Sequence, residues 1–236
     1  DAIGRNGLWD DTIVIVTTDH GHYLGEKDIW GKPSVPLFQT IAHIPLLVSG
    51  AGLRAGVCDA LTTSGDLFAT VVDLFGAAQH VRQRTHGRSI VPLLTRSSNA
   101  IRDHVLAGVW GREVHFIDGL HKLVKAPAGD NAPLSMQSNR WSTMPTHRLL
   151  REQEMPLPDA RARLSRMPGS DIPVIHQTWE RGDRVPYWAW TKFSGDHFYD
   201  LSADPGEENN LGDTPSASDI NERLKSALSA IDAPSE

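Results

Sequence analysis

The polar residues that follow the most apolar segment of the chain have types and spacing suited to chemistry. Asp19 and His20 come directly after the β-branched run at residues 12–17, and Lys32 lies 13 positions after Asp19. A carboxylate and an imidazole can share one divalent metal where the backbone turns sharply, and Gly21 permits such a turn. A lysine ammonium can stabilise negative charge on an anionic substrate. Taken separately, however, an Asp after a strand more often caps a turn, and a lone lysine more often lies on a solvated surface.

The elements that must position these residues belong to an α/β pattern. Residues 12–17 are all β-branched and include four apolar residues in a row, which predicts a strand buried on both faces, as in a parallel sheet covered by helices. Residues 44–49 predict a second short strand, and residues 66–76 show helical spacing with Ser64 as the N-cap. Open α/β sheets place their sites just past the carboxyl ends of such strands, where Asp19 and His20 fall.

The second part of the chain has an α+β character. A terminal helix is predicted at 219–231, and the stretch 127–190, rich in Pro and Trp, is interpreted as irregular with one helix around 148–166. The strand-like segments, expected to form an antiparallel sheet separate from the first, are 104–110, 114–117, 120–124 and 198–201. We therefore divide the chain into residues 1–100 and residues 101–236.

Composition excludes several classes of protein. The net charge of −6 gives no global basic field for nucleic acid, and no apolar run approaches the roughly 18 residues of a membrane span. The single cysteine, Cys58, rules out an internal disulfide framework and a thiolate metal cluster. The chain opens without Met and without a visible targeting segment. We interpret it as cut from something longer, which leaves its compartment unknown.

The chain resembles the type I sulfatases of the alkaline phosphatase superfamily. The resemblance covers both ends of the chain and weakens from about residue 126 to 190. The matching segments, in family order, are GLWDDTIV at 7–14, TDHG at 18–21, LGE at 24–26 with WGK at 30–32, IPLLV at 44–48 and FYDLSADPGEENNL at 198–211.

This resemblance implies an alkaline-phosphatase-like sheet covered by helices, present in part, followed by a smaller α+β subdomain. Asp19 and His20 would ligate a divalent metal, Ca²⁺ first with Mg²⁺ or Mn²⁺ as alternatives, together with acidic residues earlier in the chain. Lys32 would contact the sulfate ester and its bridging oxygen. The implied partner is a sulfated small molecule or a sulfated glycan, and His22 and His43 are candidates for contacting it or, alternatively, for a structural role.

The family's nucleophile is a formylglycine made within a Cys/Ser-x-Pro-x-Arg motif, and that motif is missing here. Cys58 has the wrong context and reads as a small, partly buried residue, while the segment from Ser34 to Phe38 lacks the Arg. We therefore expect the nucleophile upstream of residue 1, exposed apolar surface on the first part, and no turnover by the 236-residue chain alone. A periplasmic or secreted parent protein is compatible with this interpretation.

Two alternatives to the sulfatase interpretation stay open. The same superfamily includes phosphonate monoester and phosphodiester hydrolases with a similar Asp-His pair and lysine, and the chain as cut could also be a non-catalytic module. Three residues on the predicted meander, His115, His121 and Lys122, are either ordinary exposed strand residues or part of a pocket rim. The aromatic run at 187–190 is either a sugar platform or hydrophobic cover.

Overall fold

The described part of the chain consists of several small β-sheets and five α-helices. The computed structural model describes residues 2–32, 36–139, 141, 157–190 and 195–233. The helices are α1 (Ala2–Arg5), α2 (Gln39–Ala42), α3 (Asp66–Leu74), α4 (Val91–Leu94) and α5 (Pro215–Ala230). The strands are β1 (Ile13–Thr17), β2 (Tyr23–Leu24), β3 (Trp30–Gly31), β4 (Leu46–Gly50), β5 (Val105–Gly108), β6 (Val114–Ile117), β7 (His121–Lys125), β8 (Leu134–Ser138), β9 (Arg163–Arg166), β10 (Pro173–Trp179) and β11 (His197–Asp200). None of the described helices is long and apolar enough to cross a bilayer.

The two predicted strands of the first part do pair in one sheet, but their direction differs from the expectation. β1 and β4 are antiparallel, with Thr17 opposite Leu46. The paired residues Val16 and Leu47 keep 54% and 60% of their surface exposed, so the apolar run is not covered on both faces by described residues. The expectation of a parallel pair was wrong because an apolar run reports burial and does not report strand direction.

The helix predicted at 66–76 is present as α3, with a different start. Gly65 occupies the N-cap position and Ser64 lies outside it, and no side chain caps the helix there. Asp66 instead uses its carboxylate to accept hydrogen bonds from the amides of Thr63 and Arg88, both at 2.7 Å. The first turn of α3 is therefore fixed by a buried carboxylate.

The separate antiparallel sheet of the second part is confirmed. Its strand order is β11-β7-β6-β5, and every neighbouring pair is antiparallel. Helix α5 packs on this sheet through an apolar stripe, and it begins at Pro215 after the N-cap Thr214, earlier than predicted. The core between them contains Phe116, Leu123, Phe198, Ala217, Ile220, Leu224 and Ala227.

The stretch interpreted as irregular contains a third sheet, so that interpretation was wrong. β10 lies between β8 and β9, and both pairs are antiparallel. The predicted helix around 148–166 is contradicted at its end by β9, while its part at 148–156 lies outside the described residues. β10 forms a strand in this proline-rich stretch because it is rich in β-branched and aromatic residues.

Candidate metal and anion site

Three chain segments meet beyond the carboxyl end of β1. The turn after β1 carries Asp19 to His22, and the antiparallel ladder places the start of β4 at the same end of the sheet. The amide of Gly21 donates to the carbonyl of Ile41 at 2.9 Å, which ties this turn to α2. The β2–β3 hairpin begins at Tyr23, and its second strand ends beside Tyr23, since Tyr23 pairs with Gly31.

The Asp19 and His20 side chains lie together on one side of the turn. Nε2 of His20 is 3.5 Å from Oδ2 of Asp19, while Nδ1 of His20 lies 2.7 Å from the carbonyl of Gly21. A carbonyl only accepts, so Nδ1 carries a proton, and in the neutral form of the ring Nε2 keeps its lone pair. An imidazole anchored through its other nitrogen in this way is the usual arrangement of a histidine metal ligand.

The electrostatics of Asp19 favour its ionised form. Desolvation raises the pKa of Asp19, but the charge of His20 and hydrogen bonds from the His20 amide and the Thr18 hydroxyl together hold the pKa below its ordinary value. The carboxylate is also 84% exposed, so it faces solvent beside the His20 ring. The pair therefore offers a carboxylate oxygen and an imidazole nitrogen, a donor set that leaves the identity of the divalent metal open.

The pair does not complete a metal site within the described residues. Among them, no group of three or more His, Cys, Asp or Glu side chains is arranged to hold a metal ion. The roles of Asp19 and His20 as metal ligands therefore stay predictions.

Gly21 is required for a reason that differs from the expected one. Its φ lies outside the left-handed region, so the turn itself does not demand glycine. A Cβ at this position would overlap the carbonyl oxygen of Thr40 and lie 2.9 Å from the carbonyl carbon. Close packing of the turn against α2 therefore excludes a side chain at this position.

The structure gives the remaining predicted residues positions near this end of the sheet. Lys32 is exposed and follows Gly31, whose partner Tyr23 follows His22, so the hairpin does return toward the Asp-His turn. His22 is exposed within the turn. His43 is exposed and ends α2, where its amide donates to the Gln39 carbonyl at 2.9 Å, just before β4 begins. The roles of these three residues stay predictions.

A buried polar layer under the hairpin was missed by the sequence analysis. Tyr23 is fully buried, and its hydroxyl has no hydrogen-bond partner among the described residues. Burial, followed by the charges of Glu207 and Glu26, raises the pKa of Tyr23 to about 12, so the phenol stays neutral. Glu207 and Lys122 lie beside it as a buried ion pair with a 2.5 Å contact. The only available signal was the match of Glu207 to the family's C-terminal motif.

Three other residues differ in burial from the predictions made from the sequence: two are buried and one is exposed. Lys122 is 1% exposed and His115 is fully buried, so neither is an ordinary exposed strand residue. His115 lies 3.7 Å from the Glu113 carboxylate, which itself is held by Arg112. Burial lowers the pKa of His115, although Glu113 partly opposes this. Cys58, expected to be partly buried, is exposed.

The fold is α/β, and the turn after β1 carries a carboxylate–imidazole pair near the hairpin that leads to Lys32. Residues 1–77 match the family model described as Sulfatase. Over 95 residues the chain is 35% identical to the choline-sulfatase of Rhizobium meliloti (strain 1021), an alignment that covers 40% of this chain and 18% of that enzyme. The first part of the chain is therefore similar to sulfatases.

Solved structures agree on the fold. A 2-O GAG sulfatase superposes with a TM-score of 0.54 at 18% identity, covering 93% of this chain and 36% of that one. A protein solved with its substrate D-glucosamine-2-N,6-O-disulfate gives a TM-score of 0.56 at 16% identity, covering 97% and 35%. The chain therefore spans well under half of these relatives. The likeness supports an alkaline-phosphatase-like fold for the described part.

Proposed function

We propose that the protein takes part in metal-dependent hydrolysis of a sulfate ester. The observation that carries the proposal is the Asp19–His20 pair, in which His20 Nε2 lies beside the Asp19 carboxylate while Nδ1 is bonded to the Gly21 carbonyl. The match of residues 1–77 to the Sulfatase family model and the similarity to a choline-sulfatase support sulfate as the group that is transferred. The substrate class that we propose is a sulfated small molecule or a sulfated glycan, in keeping with the sulfated ligand of the solved relative.

The chain's own residues divide the work in this proposal. Asp19 and His20 would hold a divalent cation, Ca²⁺ or alternatively Mg²⁺ or Mn²⁺, which when bound neutralises charge on the sulfate oxygens. The Gly21 carbonyl holds Nδ1 of His20, so Nε2 would be the nitrogen available to a cation. Lys32 would place its ammonium at the bridging oxygen, where negative charge grows as the ester bond breaks. His22 and His43 would line the substrate side of the site.

The proposal leaves the nucleophile outside the printed residues. No Cys/Ser-x-Pro-x-Arg motif occurs in the sequence. We therefore expect the 236-residue chain by itself to bind metal weakly and to show no turnover, whereas the full-length protein should hydrolyse sulfate esters through a formylglycine.

The decisive experiment measures metal binding and turnover in the same variant of the full-length protein. Asp19→Asn should weaken Ca²⁺ binding in isothermal titration and lower the turnover of 4-nitrophenyl sulfate together, since it removes an anionic ligand. Asp10→Asn, which changes an exposed carboxylate in the short turn before β1, is the matched control. Unchanged binding and turnover in Asp19→Asn would refute the metal role.

The choice of assay substrate tests the alternative chemistry. The wild-type protein should hydrolyse 4-nitrophenyl sulfate faster than a phenylphosphonate monoester or bis(4-nitrophenyl) phosphate. The reverse order would favour the phosphonate monoester or phosphodiester hydrolase alternative while keeping the same metal pair.

A further inference from the structure

The turn that follows β11 presents a buried carboxylate to the underside of the site. Glu207 is only 2% exposed, and its backbone adopts a positive φ of 55°, which is uncommon outside glycine. Its Oε1 lies 2.5 Å from the ammonium of Lys122 on β7, and its Oε2 accepts from the amide of Gln39 at 2.5 Å. Its carbonyl accepts from Lys27 at 2.7 Å.

These contacts join segments that are far apart in the chain. Lys27 belongs to the loop of the β2–β3 hairpin, and Gln39 is the first residue of α2. Helix α2 in turn holds the site turn, because its Ile41 carbonyl accepts from the amide of Gly21 beside His20. Glu207 is thus linked to the Asp-His turn through α2 and to the hairpin that precedes Lys32.

The surroundings of Glu207 make this link rigid. The ammonium groups of Lys27 and Lys122 lie 4.5 Å and 5.8 Å from the centre of the Phe38 ring, on the segment that enters α2. Lys122 also donates to the carbonyl of Leu37. A buried carboxylate and a buried ammonium in hydrogen-bond contact have no water to replace either partner, so the arrangement is strongly determined.

We infer that Glu207 is a positioning residue for the site, setting α2 and the β2–β3 hairpin so that the Asp19–His20 pair and Lys32 face one substrate. This inference rests on the proposed function. Glu207 acts through Gln39 and Lys27 and is not itself proposed to touch metal or substrate. The C-terminal motif at 198–211 therefore has a role in the chemistry besides supplying the edge strand β11 of the four-stranded sheet.

A substitution at Gln39 isolates one of these links. Proline at the first residue of a helix is well tolerated, and Phe38 already has the extended conformation that a following proline requires, with ψ of 162°. Gln39→Pro removes the amide hydrogen that Glu207 accepts and puts the ring carbon in its place, so the carboxylate oxygen 2.5 Å from that nitrogen must move away. Gln39→Ala loses the same side chain and keeps the amide, so it is the matched control.

We expect Gln39→Pro in the full-length protein to lower kcat about tenfold relative to Gln39→Ala, with KM within about threefold, since misplacement of catalytic groups by under 1 Å acts chiefly on the transition state. The Ca²⁺ dissociation constant should rise several-fold. Hydrogen exchange of peptides covering residues 19–32 should become faster. Glu207→Gln, compared with the exposed Glu180→Gln, should give the same pattern.

The outcomes separate this inference from the proposed function. If Gln39→Pro and Glu207→Gln lower only the melting temperature, while kcat per folded enzyme, Ca²⁺ affinity and exchange at 19–32 match their controls, the positioning role is refuted. If Asp19→Asn leaves Ca²⁺ binding and turnover unchanged, the proposed function fails as well. Loss in Asp19→Asn without loss in Gln39→Pro refutes the inference alone.

Discussion

Close packing between the site turn and α2 makes Gly21→Ala the most informative single substitution. The added methyl group would lie 2.9 Å from the Thr40 carbonyl carbon and 3.1 Å from the Ile41 Cα, and it would overlap the Thr40 oxygen. Ordinary contacts between carbon atoms are about 3.5–4.0 Å. The turn and α2 must therefore separate by roughly 1 Å, which also stretches the hydrogen bond from the Gly21 amide to Ile41.

The size of the expected effect follows from that displacement. A misplacement of about 1 Å in a catalytic group can lower the rate roughly a hundredfold. We expect a loss of this order in kcat for sulfate ester hydrolysis and a clearly weaker affinity for Ca²⁺, because His20 is the neighbouring residue. Overpacking of this kind costs about 1–3 kcal/mol of stability.

The assay compares Gly21→Ala with a glycine that has room for a methyl group. Gly65 has a φ of −62°, and a Cβ there would meet its nearest neighbour, Thr63 Oγ1, at an ordinary 3.5 Å. Gly65→Ala should change stability by less than about 1 kcal/mol and leave kcat and Ca²⁺ affinity unchanged. Urea unfolding, calorimetric titration and steady-state kinetics on both variants provide the test. Equal behaviour of the two variants would show that the site does not depend on this packing.

Further predictions concern charge. Lys32→Ala should lower kcat roughly a hundredfold, with a smaller loss for substrates that have good leaving groups, whereas the control Lys225→Ala should leave kcat unchanged. A rise in KM without a change in kcat would show that Lys32 only binds the anion. Arg102→Met leaves the buried Asp66 carboxylate unpaired and should cost about 3–5 kcal/mol in urea unfolding, against at most about 1 kcal/mol for the exposed Arg181→Met. Burial alone would raise the pKa of Asp66, but Arg102 and the amides of Arg88 and Thr63 lower it. The contribution of Asp66 to the free energy of unfolding is therefore complete above about pH 4 and is lost on further acidification. The loss of stability at acidic pH should be smaller in Asp66→Asn. Because the pKa of His115 is lowered by burial, the unfolded state binds its proton first, and wild-type stability should fall as the pH drops below about 6.5, a slope that should be absent in His115→Phe.

The amino-acid sequence by itself determined the local features of this protein. The β-branched run of β1, the antiparallel meander and the amphipathic terminal helix follow from side-chain periodicity, which depends only on neighbours in the chain. The candidate site residues Asp19, His20 and Lys32 were proposed from short segments near the end of β1 that resemble sulfatase motifs, and their roles stay predictions.

Only the tertiary structure decided which distant residues meet. Glu207 contacts Gln39 and Lys27 across 168 and 180 positions of the chain, and no local pattern encodes such a pairing. The direction of β4 relative to β1 was equally hidden, since an apolar strand has the same composition in either orientation. The need for glycine at position 21 comes from the backbone of α2, a neighbour in space and not in sequence. Periodicity fixes the elements, whereas burial of charge and close approach of backbones arise only when the elements pack.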